Sequence, residues 1–299
     1  MADEKLTPEQ LGNRFIIRVS ALLAERGIEP AGWSDGMGHP NPADMPKVVQ
    51  SNSWGMLLGG GIADAHRQAN QGWEVVLSSP EVLYFDMPYA PDPEERGYDW
   101  ASRGTDVFKV FAFMPENLPA NASLMTGLDG LGHTVDDTLP LTQGHKIEGM
   151  QGQLWSETVR SPQIADYMLF PRTLALAERA WHQGGWEPVY VAGKSYTYND
   201  KSIDRSALLS DWQDFQARLI TQLSQLDRAG VAYRLPPPGA RVTKGVLEAN
   251  VSITGLKIEY RTGHKWHPYI GPVKVHSDID LRTLSPNHHR YSRIVHVKA

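Results

Sequence analysis

The chain has 299 residues, 41% apolar and 21% charged, an ordinary globular balance with room for one large and one small domain. A net charge of −5 with no block of Lys or Arg argues against a nucleic-acid partner, and no apolar run is long enough to span a membrane. Zero cysteines exclude disulfides and thiolate metal sites, while "MADEKLTPEQ" has neither the basic start nor the apolar core of a signal peptide, which leaves the compartment open.

In chain order, "TPEQLGNRFIIRVSALLAERGIEP" predicts a helix capped by Thr7, with Pro8 at its first position. Leu11, Phe15, Val19 and Leu22 recur at helical spacing, and Gly27 ends it. "PAGWSDG" reads as a short strand ending in a turn, and "KVVQSNSW" as a second strand ending at Trp54. "GGGIADAHRQANQG" is a glycine-rich loop opening a helix; "WEVVLSS" is a third extended piece that "EVLYFDMP" continues or accompanies. "GTDVFKVFAFMPENL" is helical or irregular, and residues 120–146 are an excursion rich in Gly, Asp and Thr. "KIEGMQGQLWSE" is expected to be a strand ending at Glu157, and "SPQIADYMLFPRTLALAERAWH" one long helix capped by Ser161.

Strand, loop and helix thus alternate from about residue 30 to 182, the pattern of parallel strands joined by crossover helices. "DRSALLSDWQDFQARLITQLSQLDRAG" is an amphipathic helix ending at Gly230. Beyond it lie short alternating strands separated by Gly and Pro, a small β-sandwich with "PPPG" (236–239) near the junction.

The 9 Trp and 11 Tyr are the unusual numbers. Trp33 with Asp35, Trp54, Tyr84 with Asp86, and Trp155 with Glu157 fall at the C-terminal ends of the predicted parallel strands, and Trp100 lies in the loop after the third. Active sites of β/α barrels and open α/β sheets are built there. A single Trp at such a place is core packing, and a single Asp caps a helix or forms a turn. The repeated pairing of ring and acid instead suits a carbohydrate, whose apolar faces stack on indoles and whose hydroxyl rim takes charge-assisted hydrogen bonds from carboxylates.

Other chemistries are less well served. His39, His66, His133, His145 and His182 are scattered, and "NHHRY" (287–291) reads as a solvated loop, so no metal site is expected. "LLGGGIADAH" lacks the glycine order of a dinucleotide loop, and "DPEERG" lacks the alternating ligands of a calcium loop. No Gly-x-Ser-x-Gly elbow is present, and no cofactor is expected.

The motifs "WSDG", "NSWGMLLGGG", "GWEVVLSSPEVLYFDMPYAPDPEERGYDW", "QGQLWSE" and "MLFPRTLALAERAW" together resemble the C-terminal portion of glycoside hydrolase family 20, the family of bacterial chitobiases and other β-N-acetylhexosaminidases. The likeness runs from about residue 11 to the end and includes "GVAYRLPPPGARV", which resembles the opening of that family's C-terminal immunoglobulin-like domain. It implies an α/β fold: a partial (half) TIM-type (β/α) barrel over residues 1–232, then a small all-β immunoglobulin-like sandwich over 233–299.

The implied reaction is substrate-assisted hydrolysis of terminal β-linked N-acetylglucosamine or N-acetylgalactosamine from chito-oligosaccharides, in which the substrate's acetamido oxygen attacks the anomeric carbon. By the same resemblance, Trp33, Trp54 and Trp100 correspond to the walls around the acetamido group, with Asp35 beside the first. Tyr84 corresponds to the phenol that hydrogen-bonds the acetamido oxygen, with Asp86 in the same pocket. Trp155 corresponds to the platform under the sugar, and Glu157 to the carboxylate on its outer hydroxyls.

The family's working pair is an adjacent Asp-Glu closing a His-x-Gly-Gly/Ala-Asp-Glu motif, and here only "MADEKL" stands before the first helix. Either Asp3 and Glu4 are that pair, acetamido partner and general acid/base, with the chain beginning inside the motif, or "ADE" is a polar terminus that matches by chance. In the second case the chain would bind N-acetylhexosamines without cleaving them. A half-barrel would also expose strand edges and apolar surface, so a homodimer or other homo-oligomer is expected.

Overall fold

The computed structural model describes residues 6–37 and 40–299. Asp3, Glu4 and His39 lie outside the described residues. By proximity of its backbone the chain divides into two compact units. One is the chain up to Thr158 together with Ala175–Arg205, and the other is Val159–Leu174 with Ser206–Ala299.

The first unit begins with helix α1, Pro8–Ala24. The Thr7 hydroxyl accepts from the Gln10 N–H while the Gln10 side chain accepts from the Thr7 N–H, so two backbone donors that no helical turn could satisfy are paired. Strand β1 (Ala31–Trp33) runs into helix α2 (Ser34–Met37), and β2 (Gln50–Ser53) leads through a glycine-rich loop into α3 (Gly61–Asn70). Strand β3 (Glu74–Leu77), helices α4 (Pro80–Leu83) and α5 (Val107–Phe111), and the short strands β4 (Thr134–Val135) and β5 (Gly149–Met150) follow.

Strands β1, β2, β3 and β5 form one parallel sheet in that order, with Ala31 opposite Gln50, Gln50 opposite Glu74, and Val76 opposite Gly149. The α/β class and its partial parallel sheet are therefore as the sequence predicts.

Three local expectations are corrected. "EVLYFDMP" is not a strand: Pro80 has its φ preset and no N–H to donate, so it opens the single helical turn α4, and extended chain resumes only at Tyr84. The strand expected to reach Glu157 ends as such at Met150, with one further bridge between Gln153 and Tyr84. The expected long helix is two, α6 (Pro162–Leu169) and α7 (Arg172–Trp181), because Pro171 cannot donate into a continuous ladder.

A buried ion pair ties the end of α7 to the chain that follows it. The Arg179 guanidinium donates to the Glu187 carboxylate at 2.7 Å with both side chains at most 2% exposed, and it also lies over the rings of Phe111 and Trp186. The excursion between α5 and β5 is pinned by β4 pairing antiparallel with β6 (Tyr196–Thr197), and by Asp137, which accepts from Tyr190 and lies 3.3 Å from His66.

The second unit carries helix α8 (Arg205–Arg228) and then strands β7 (Gly239–Thr243), β8 (Val246–Asn250), β9 (Lys257–Arg261), β10 (His267–Tyr269), β11 (Val273–Lys274), β12 (Ile279–Leu284) and β13 (Val295–Val297). These form two antiparallel sheets, β11-β8-β7 and β10-β9-β12-β13. Leu247 from the first and Ile258, Ile279 and Leu281 from the second share one core with Val275. Among the described residues no helix is long and apolar enough to cross a membrane.

Removing one member of a buried pair strands the other charge in low dielectric. Arg179→Met is therefore expected to cost about 3–5 kcal/mol in denaturant unfolding, and Arg179→Met with Glu187→Leu distinctly less than either single change. Additive losses in the double variant would show that the pair does not act as a unit.

Candidate functional site

Each of the four parallel strands hands its chain to a segment bearing an aromatic ring, and the rings converge. Trp33 ends β1 and Trp54 follows β2 directly. The stretch from Leu83 to Phe85 reaches the site by pairing with the chain beyond β5: Phe85 N–H donates to Gln153 O and Gln153 N–H to Leu83 O. That pairing sets Trp155 beside Tyr84, ring centroids 6.0 Å apart and steeply inclined. Trp155 also meets Trp33 at 5.5 Å.

The long loop after Met87 doubles back because Tyr98 N–H donates to the Asp86 carbonyl. Gly97 makes the close approach possible: its φ is +129°, and a Cβ there would lie 2.4 Å from the Asp86 oxygen. The returning chain lays Trp100 edge-on against Tyr84 at 5.9 Å.

The result is a cavity of about 320 Å³ lined by Trp33, Asp35, Trp54, Tyr84, Asp86, Tyr98, Trp100, Trp155 and Glu157. All eight of the described residues singled out from the sequence line it. Their exposures separate this cluster from ordinary core packing. Trp54, Trp100 and Trp155 are 36–44% exposed, whereas Trp73 and Trp186, which line no such cavity, are at most 5% exposed.

At the bottom lie Tyr84 and Asp86, 4% and 2% exposed. Burial pushes the Tyr84 phenol up to about 12, a hydrogen bond with Trp155 opposes this, and the charges of Asp86 and Asp35 push it further up. The phenol therefore stays a neutral O–H donor at any physiological pH. On the rim, the Trp54 indole N–H donates to Asp35 at 3.1 Å, which fixes the angle of that ring. Such a cavity offers indole faces to an apolar surface, a neutral donor at its floor, and carboxylate acceptors for hydroxyl groups. Among the described residues no three His, Asp or Glu side chains are grouped as metal ligands.

Two residues escaped the sequence reading. Tyr98 has a visible signal, standing two positions before Trp100 in a polar loop, but that loop's path was not readable. Glu81 had none. It sits in "SPEVLYFD" as one more acid, yet it is 3% exposed, and its Oε1 accepts from the Leu58 N–H at 3.3 Å. Burial pushes its carboxyl up to about 7, against the lowering pull of backbone N–H groups and of the Lys109 charge. Burial likewise pulls the Lys109 ammonium down to about 8.

A carboxyl whose pKa is raised by folding contributes stability that is fully present below its unfolded value and is lost as pH rises through its folded value. Glu81 should therefore make the protein less stable as pH rises from about 4.5 to 7, by roughly 3 kcal/mol in all. Denaturant titrations at several pH values should show this fall in the wild type and a flatter profile in Glu81→Gln. Equal slopes in the two proteins would refute the assignment.

Known proteins resemble this chain along most of its length. The model of the glycosyl hydrolase family 20 catalytic domain matches residues 1–184, and that of the chitobiase/beta-hexosaminidase C-terminal domain matches residues 222–294. The chain is 38% identical to the N,N'-diacetylchitobiase of Vibrio harveyi over 296 residues, covering 96% of this chain and 33% of that protein. With beta-hexosaminidase B of Pseudoalteromonas piscicida it shares 48% identity over 209 residues, 69% of this chain and 27% of that one. The chain thus spans about a third of the length of the curated relatives it matches. Among solved structures, the GH20 exo β-N-acetylglucosaminidase of Vibrio harveyi in complex with N-acetylglucosamine superposes with a TM-score of 0.52 at 26% identity, over 76% of this chain and 28% of that one. A mutant Streptomyces plicatus β-hexosaminidase, 23% identical with a TM-score of 0.52, shares the fold. The chain belongs to glycoside hydrolase family 20.

Proposed function

We propose that the chain carries the amino-sugar pocket of a β-N-acetylhexosaminidase and takes part in hydrolysing terminal β-linked N-acetylglucosamine or N-acetylgalactosamine. The observation that carries this reading is the single cavity in which four indoles, two phenols and three carboxylates meet. Its volume lies at the small end of ligand sites and suits one sugar ring with a substituent rather than a polymer. The curated relatives named chitobiase and β-hexosaminidase, and the neighbour complexed with N-acetylglucosamine, support the same substrate class.

In this reading Trp155 is the platform on which the sugar's apolar face stacks, and Glu157 accepts from its outer hydroxyls. Trp33, Trp54 and Trp100 wall the acetamido group, with Asp35 holding Trp54. The neutral Tyr84 phenol donates to the acetamido oxygen and so orients it toward the anomeric carbon, which Asp86 supports from beneath. Glu4 is the general acid and base, and Asp3 the acetamido partner, following the family's pairing of adjacent carboxylates.

The test uses an aryl N-acetylglucosaminide and calorimetry with N-acetylglucosamine. Glu4→Gln is expected to lower turnover by about 100-fold or more with cooperative unfolding retained. Trp155→Ala should weaken sugar binding roughly tenfold, the equivalent of ~1.4 kcal/mol. Binding without turnover at any pH would make the chain a sugar-binding module, and unchanged turnover in Glu4→Gln would place the acid elsewhere.

We also propose that the chain self-associates. Leu11, Phe15, Val19 and Leu22 of α1 are 36–64% exposed, and β1 and β5 are the outer strands of the parallel sheet, each with one hydrogen-bonding side free of a strand among the described residues. A second copy is the partner in this reading, since closed homodimers are the commonest way such surfaces are covered. Sedimentation should give a mass twice that of one chain at micromolar concentration. A cooperatively folded monomer throughout would reject it.

A further inference from the structure

Removing a carboxylate from water is costly, and such a group is retained where it holds something in place. Glu81 is such a group, and the segments it holds are those that wall the sugar cavity. Its Oε1 takes the Leu58 N–H, in the turn that follows Trp54. Backbone N–H groups of the same turn, at Leu57 and Leu58, both favour its ionised form, so the carboxyl is directed at that turn. The loop around Leu58 is closed on itself: a Cβ at Gly61 would lie 2.3 Å from the Gly55 backbone. A fixed Leu58 therefore fixes the whole turn, and with it the exit of Trp54.

From the other side, the Glu81 carbonyl accepts the Thr105 hydroxyl at 2.9 Å, and Thr105 N–H donates to the Pro88 carbonyl. Lys109 donates to the Ser102 hydroxyl at 2.8 Å, and Ser102 in turn holds the Gly104 backbone. These bonds secure the far end of the loop that carries Tyr98 and Trp100. Three residues beyond Glu81 on its own segment stands Tyr84. One buried side chain and its peptide group thus join the segments bearing Trp54, Tyr84 and Trp100.

We propose that Glu81 is a positioning residue for the saccharide cavity, setting the Trp54 wall against Tyr84 through its hydrogen bond to Leu58 N–H. The proposal rests on the amino-sugar reading of the cavity. What matters in it is the acceptor, not the charge: a glutamine at 81 keeps a carbonyl oxygen for Leu58, and a leucine does not.

The experiment measures N-acetylglucosamine binding by calorimetry and cooperative unfolding by denaturant, for the wild-type chain, Glu81→Leu and Glu81→Gln. Glu81→Leu is expected to weaken binding by about tenfold while unfolding stays cooperative, and Glu81→Gln to restore it to within about threefold of wild type. Because glutamine restores shape as well as the acceptor, the unfolding midpoint separates the two causes: a general packing defect lowers it in Glu81→Leu along with affinity, whereas a lost positioning contact weakens binding with the midpoint nearly unchanged. Wild-type affinity in Glu81→Leu, or equal losses in the two variants, overturns the role of Glu81 alone. A wild-type chain that shows no affinity for N-acetylglucosamine at millimolar concentration overturns the amino-sugar reading and this proposal with it. If Glu81→Leu does not fold, Glu81→Met carries the test, because it keeps the unbranched length of the side chain and removes the oxygen that accepts from Leu58 N–H. A loss of about threefold or more then supports the joint, and unchanged affinity overturns it.

Discussion

Parallel pairing is the constraint on which the candidate site rests. Four strands hydrogen-bonded in one direction deliver all their C-terminal ends to one edge, so whatever follows each strand is brought to the same side. Neighbouring strands lie about 4.8 Å apart, which would leave β1 and β5, at opposite ends of the sheet, roughly 14 Å apart if it were flat. The rings of Trp33 and Trp155 are nevertheless 5.5 Å apart. The gap is closed beyond β5, where the chain turns inward to pair with Leu83 and Phe85 and carries Trp155 over Tyr84. The sheet supplies direction, and a short run of irregular pairing supplies convergence.

Much of this could be read in the sequence, for identifiable reasons. Thr7 and Pro8 announce a helix start by local chemistry alone, and so do Ser161 and Pro162. The ring-and-acid placements after successive strands marked the site because parallel strands share one functional edge. Local signals failed where one residue overrode a pattern. The apolar run from Val82 to Phe85 suggests extension, yet Pro80 starts a turn before extension resumes. The periodicity from Ile164 to Ala180 suggests continuity, yet Pro171 divides it. Non-local facts were not legible at all: nothing in "PEERGYDW" says that Gly97 packs on the Asp86 carbonyl, or that Glu81 lies buried beneath the Trp54 loop.

The cavity also shows how burial sorts otherwise similar residues into different tasks. Tyr84 and Glu81 stand three positions apart, both desolvated, and in both the neutral form is favoured. For the phenol this costs nothing at neutral pH and preserves a donor. For the carboxyl it opposes ionisation within the physiological range, and the Lys109 charge offsets part of that cost. The rim acids Asp35 and Glu157 line the cavity mouth without such burial and remain available as acceptors.

The walls of this pocket arrive on four separate stretches of chain, after β1, after β2, across Tyr84 to Trp100, and beyond β5. No single loop encloses the cavity. Yet the stretches lean on one another, Trp155 on Trp33 and Tyr84 and the Leu58 turn on Glu81, so a change in one wall is felt in its neighbours. A scaffold of this kind spreads the outline of one cleft over several connections, so that its shape is a joint property of them all.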